Sequence, residues 1–210
     1  MQYGLPQLLL KPEELEPHLD AQALELHYSR HHGALVRRLN ETLAGYPLLS
    51  RRPLEEMLQD ISTVPAEIRQ ALRNFGGGHL NHCLLWDSLG PERHRRPEGP
   101  LRDALDTDFG GFEPFRDEFM VSALQRFGSG WMWLCLDPHG ALKLLSTPNE
   151  DSPLMYGMRP ILGLDLWEHA YYLKFQDRRA DYVAAWWHVV DWRKIGEMYL
   201  LERALLASEA

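Results

Sequence analysis

From about Ala21 to Leu43 apolar residues fall with the spacing of one buried helix face, and Gly45-Tyr46-Pro47 ends the pattern. Pro12, Glu13 and Glu14 form a short acidic turn ahead of it, and Pro53 to Ile61 repeats it over a shorter amphipathic span. Pro65 starts a third helical stretch, Ala66 to about Trp86, weakened by Gly76-Gly77-Gly78 because glycine is costly inside a helix. The segment 90–100 has no apolar anchor and is rich in proline and glycine, so it reads as a linker with a boundary near residue 95.

Beyond the linker the pattern changes. Leu101 to Asp106 and Pro114 to Phe127 read as helices. Trp131 to Leu136 is a strand-like aromatic run, Asp137-Pro138-His139-Gly140 a turn, and Ala141 to Ser146 the returning strand of a hairpin. Pro160 to Asp165 suggests a third, buried strand, and Ala180 to Leu206 is helical with a break near Asp191. The predicted class is α+β. A helical N-terminal domain (1–92) precedes a C-terminal domain (93–210) with a three-stranded antiparallel sheet and helices.

Composition narrows the function. The 210 residues suffice for one domain or two small ones sharing a core, and 45% hydrophobic with 25% charged residues excludes disorder. A net charge of −8 argues against a general nucleic-acid or anionic-membrane binder. Cys83 and Cys135, the only cysteines, fit a reducing compartment. Residues 1–30 lack the pattern of a secretory leader, and no apolar stretch reaches the roughly 18 residues of a membrane span, so a cytoplasmic protein is expected.

Candidate chemistry lies in the histidines. His27 and His31 share one face of the first helix; His79 and His82 lie on the third; Asp165 and His169 are four apart where the third strand ends. Taken singly these pairs are ordinary. However, His27, His82 and Asp165 sit among leucines, and a buried carboxylate is costly unless paired or coordinated. Three imidazoles and one carboxylate form a nitrogen-rich, thiolate-free set suited to Mn, Fe or Zn.

Longer motifs sharpen this. Leu26-His27-Tyr28-Ser29-Arg30-His31-His32 resembles the first-helix motif of the iron/manganese superoxide dismutases, and Arg73 through His82 is similar to their second metal motif. Asp165-Leu166-Trp167-Glu168-His169-Ala170-Tyr171-Tyr172 matches that family's Asp-x-Trp-Glu-His-Ala-Tyr-Tyr signature. Gly128-Ser129-Gly130-Trp131-Met132-Trp133-Leu134 and Arg178-Arg179-x-Asp181-Tyr182 extend the likeness over nearly the whole chain. The resemblance implies an N-terminal helical hairpin and one Mn or Fe per chain, held by His27, His82, Asp165 and His169 with a bound water or hydroxide. Gly78 stands where manganese-type members carry glycine and iron-type members usually carry glutamine, so manganese is preferred. The resemblance further implies a surrounding shell of His31, Glu150, Trp131 and Tyr172, with Arg179 the positive element at the channel. It also implies an oligomer, at least a homodimer, in which Glu168 reaches His169 of the partner subunit and Tyr172 pairs with His31.

Two positions depart from the family pattern. Glu150 stands where the manganese-type glutamine is expected, in Ser146-Thr147-Pro148-Asn149-Glu150-Asp151, and Leu35 replaces a tyrosine four residues beyond His31. An ionised glutamate only accepts hydrogen bonds, so Glu150 must be protonated, accept from the bound water, or bind the metal. The bland alternative makes Leu35 a plain apolar helix residue and turns Glu150 outward beside Asp151. Three functions therefore stand open: a superoxide dismutase; a metal-dependent oxidase or oxygenase with a larger substrate, its funnel opened by Leu35; and an inactive metal-stabilised partner protein.

Overall fold

The computed structural model describes residues 2–91 and 94–209, so the expected 92/93 domain boundary lies outside the described residues. Helix α1 (Ala21–Leu26) begins at Asp20, whose carboxylate accepts from the Ala23 amide at 2.7 Å, a side-chain cap for an orphan N–H. It passes through a π-helical turn, His27–His32, into α2 (Gly33–Leu43). Short α3 (Leu54–Gln59) precedes a second long rod: α4 (Ala66–Ala71), a π-helical turn over Leu72–Gly76, and α5 (Gly77–Ser88). The triglycine therefore does not break the helix. It is there for close approach: a Cβ on Gly77 would stand 2.3 Å from the Glu150 carbonyl oxygen, and one on Gly78 2.9 Å from Leu35 Cδ1.

Helix α6 (Gly99–Phe109) starts inside the segment read as linker, with Pro100 in its first turn, where the missing N–H costs nothing. Then come α7 (Phe112–Gln125), β1 (Gly130–Leu136), β2 (Leu142–Pro148) and β3 (Arg159–Asp165). The strands form an antiparallel sheet in the order β2-β1-β3, with Trp131 opposite both Thr147 and Asp165. Opposite residues share a face, so Trp131, Trp133 and Asp165 lie on one side. Trp133 lies so close over Gly163 that any Cβ there would meet its ring at 2.2 Å. Helix α8 (Glu168–Phe175) was not expected from the sequence; α9 (Arg179–Trp186) and α10 (Trp192–Glu209) flank the expected break near Asp191. One apolar cluster joins the sheet and its helices to Leu15, Leu24, Leu85 and Trp86 of the helical half. A smaller one joins Leu39, Leu43, Leu54, Met57, Leu58 and Leu72 in the helical half. Among the described residues no helix is long and apolar enough to cross a membrane.

Candidate metal centre

Four elements deliver one donor each to a common point. His27 opens the first π-turn, His82 lies on α5, Asp165 ends β3, and His169 sits in the first turn of α8. Asp165 Oδ2 is 3.1 Å from His27 Nε2, 3.1 Å from His169 Nε2 and 3.7 Å from His82 Nε2; the two nitrogens of His27 and His82 are 2.9 Å apart. All four donor atoms fall within 4.8 Å of one another. Ligands roughly 2.1 Å from one ion stand about 3–4 Å apart, so the cluster has the dimensions of a metal centre.

The tautomers agree. His82 Nδ1 lies 2.6 Å from the Gly78 carbonyl oxygen, which can only accept, so Nδ1 carries the hydrogen and Nε2 turns a lone pair inward. Burial pushes the His27 and His82 imidazoles below their ordinary range, keeping them neutral, as ligation requires. Burial opposes the Asp165 charge, but His169 and His27 outweigh it and hold this carboxyl well below the usual range. Its other oxygen accepts from the Trp167 amide at 2.8 Å, and the Tyr182 hydroxyl donates to the Asp165 carbonyl at 2.9 Å. The residues present fit a cation such as Mn or Fe.

Around the donors, Glu150 is only 6% exposed, which overturns the outward-turned alternative. Its Oε2 accepts from Trp131 Nε1 at 3.1 Å, and its Oε1 faces His31 Nε2 across 3.9 Å, neither of that second pair having another partner among the described residues. Burial and the Asp165 charge both push the Glu150 carboxyl well up. Gly78 makes the room: a Cβ there would stand 3.3 Å from Glu150 Cγ and Cδ. Leu35 is buried against the same glycine, so it fills space here and opens none. The His31 ring stacks on His169 at 3.9 Å, and the Trp131 ring stands edge-on to His82 at 5.1 Å.

Tyr172 and Arg179 stand farther out. Tyr172 is 54% exposed, and Arg179 donates to the Arg126 carbonyl while its buried Nε and Nη2 have no hydrogen-bond partner among the described residues. Glu168 is exposed beside the half-open edge of His169. Sequence reasoning missed Asn81, whose amide donates to the Glu150 carbonyl at 3.1 Å, although it lay inside a quoted motif.

A second cluster, His32, His79 and Cys83, also has ligand dimensions but the wrong protons. Trp86 Nε1–H donates to His32 Nδ1 at 3.0 Å, so His32 Nε2 carries the hydrogen that bridges 2.8 Å to His79 Nδ1. The two inward histidine nitrogens are therefore engaged with each other. This chain has a pH consequence, because burial lowers His79 to about 4. Above about pH 6.5 the ring is neutral folded or unfolded; below it the unfolded chain takes a proton that the fold refuses. Stability should therefore fall as pH drops from about 6.5 to about 4, by up to about 3 kcal/mol from this group, then level off. Urea unfolding of wild type and His79→Asn, which keeps an acceptor but cannot titrate, should show a shallower acid slope in the variant.

"Iron/manganese superoxide dismutases, alpha-hairpin domain" matches residues 2–90, and the C-terminal domain of the same family matches residues 97–198. The chain belongs to the iron/manganese superoxide dismutases. Among its relatives, a protein of Thermus aquaticus named Superoxide dismutase [Mn] is 48% identical over 197 residues, covering 94% of this chain and 97% of that one. One of Bordetella pertussis with the same name is 47% identical over 210 residues, all of both chains, and one of Listeria innocua 46% over 199, covering 95% and 98%.

Proposed function

We propose that this chain converts superoxide to dioxygen and hydrogen peroxide at one Mn or Fe ion, manganese preferred, held by His27, His82, Asp165 and His169. The observation that carries this is the convergence of three imidazole nitrogens and one carboxylate oxygen in a buried pocket of a chain from this family. A bound ion of this kind supplies one-electron oxidation and reduction in alternation. The protein's part is to hold it, exclude bulk water and position groups around it. Trp131 and Trp86 wall the pocket, while His31 and Glu150 face its open side. Arg179 is the cation that draws a small anion toward a chain of net charge −8. The manganese preference rests on Gly78 and on the names of the relatives.

Superoxide consumption per bound metal, measured on manganese- and iron-loaded protein against the apoprotein, tests the reading. Turnover that scales with metal supports it. Full occupancy without turnover would leave the oxidase or inactive-partner reading.

A cytoplasmic homodimer of two-domain chains, divided as 1–92 and 93–210, completes the proposal. The separate family matches, to residues 2–90 and 97–198, support the division. Glu168, exposed next to a ligand histidine, suits a bridge to His169 of the partner subunit, with Tyr172 reaching the partner's His31. Glu168→Ala should thus weaken the dimer in light scattering at micromolar concentration. A wild-type chain that sediments as a monomer there would remove the basis of this expectation.

A further inference from the structure

Glu150 sits on a loop tied down with unusual thoroughness. From its own half of the chain, Trp133 Nε1 donates to Thr147 Oγ1 at 2.8 Å, Thr147 donates to the Asp151 carbonyl at 2.7 Å, and Trp167 Nε1 donates to the Asn149 carbonyl at 3.1 Å. Asn149 itself takes the left-handed conformation (φ 51°), a tight turn that aims the next side chain inward. From the helical half, Asn81 holds the Glu150 carbonyl and Gly77 lets it approach. One further link spans both halves. Arg73, in the π-turn before Gly77, places Nε and Nη2 on the two oxygens of Asp151, and the Tyr156 hydroxyl donates to Oδ2 at 2.8 Å.

Asp151 is only 4% exposed, so this ion pair is largely desolvated on the carboxylate side. Such a pair adds little net stability over apolar packing of the same shape, which leaves fixed geometry as its use. Two parallel bonds from one guanidinium define both distance and orientation, and Asp151 is the immediate neighbour of Glu150. An interaction between charges changes by about a fifth when their separation goes from 4 to 5 Å, so small shifts of a polar group beside a metal matter.

We propose that Arg73, Asp151 and Tyr156 form a latch between the second helical rod and the Glu150 loop, which sets the Glu150-to-metal distance and thereby the redox balance of the bound ion. Arg73 and Tyr156 are positioning residues that never touch the metal donors. The inference rests on the metal centre proposed above and holds whether Glu150 donates or accepts.

The test uses the manganese-loaded full chain, with metal content, visible absorption of the oxidised ion and a potentiometric titration as readouts. Arg73→Gln should keep its metal, move the absorption band and change the oxidised-to-reduced ratio at a fixed potential about tenfold, or 59 mV for one electron. Tyr156→Phe, which spares the guanidinium pair and guards against a misfolded Arg73 variant, should shift both readouts in the same direction by less. Arg73→Lys should not restore wild-type values, because an ammonium cannot make two parallel bonds. In a Glu150→Ala background the Arg73→Gln shift should disappear. If both single variants only lower the melting temperature, with band and potential unmoved, or if the shift survives without Glu150, the latch has no such role. Wild-type protein that takes up no metal would instead overturn the metal centre, and this inference with it.

Discussion

Asp165→Ala will fold, retain less than about a tenth of one metal ion per chain, and lose the rise in melting temperature that metal gives the wild type. Asp165 is the only carboxylate among the four donors and is fully buried at the end of β3, its Oδ2 within 3.7 Å of all three imidazole nitrogens. Without it, a divalent ion meets three neutral rings and no compensating charge. Metal a thousandfold above its dissociation constant stabilises the native state by about 4 kcal/mol. For a chain of this size that is on the order of 10 °C in melting temperature. Asp165→Asn is the sharper control, since it can keep the hydrogen bond from the Trp167 amide while removing the charge. Elemental analysis together with melting curves with and without a chelator checks both variants. Full metal occupancy in Asp165→Ala would show that this carboxylate is no ligand.

Three of the metal donors were legible because each stands among apolar neighbours that force it inward, leucines around His27 and His82 and Leu164 and Leu166 around Asp165, while His169 was legible only from its place four residues after Asp165 in the family signature. The strands were legible for the same reason, as short aromatic or aliphatic runs closed by turn residues. Helix α8 was not. Its Tyr172 and Leu173 are 54% exposed, so its apolar residues do not mark one buried face and no helical stripe shows. The π-turns also leave no trace in hydrophobic spacing, though one carries His27 and His31 and the other Arg73. The triglycine reads only as a weakness in the helix because its cause, the Glu150 loop, lies more than 70 residues along the chain. Asn149-Glu150-Asp151 also fits the bland alternative of a solvated turn. Both acids are buried, and which of them faces the metal donors depends on Arg73 and Trp131, partners that periodicity cannot reveal.

Restoring an amide and a phenol at the open side of the site, by Glu150→Gln with Leu35→Tyr, should raise superoxide turnover per metal by about tenfold or more. Glu150 presents Oε2 to the Trp131 indole, and its Oε1 stands 3.9 Å from a His31 nitrogen, neither with a hydrogen-bond partner among the described residues. Glutamine has the same shape, so its oxygen can keep the Trp131 bond while its NH2 supplies a donor whatever the pH, where a carboxyl donates only when protonated. The change also removes a carboxyl from the neighbourhood of Asp165, whose charge, together with burial, pushes Glu150 toward its protonated form. Leu35 offers no proton at all and packs its Cδ1 toward Gly78. A tyrosine there would bring a hydroxyl to the side of the pocket that Glu150 and His31 face. Each substitution rebuilds half of one hydrogen-bonded chain, so the double variant should exceed the sum of the singles on a free-energy scale. Initial rates of superoxide loss, normalised to metal content, decide the matter. Wild-type turnover already matching that of the manganese relatives, and unmoved by the double change, would show that Leu35 and Glu150 do not limit the reaction. A fully metallated double variant that stays inactive would favour a different oxidation, or none, at this centre.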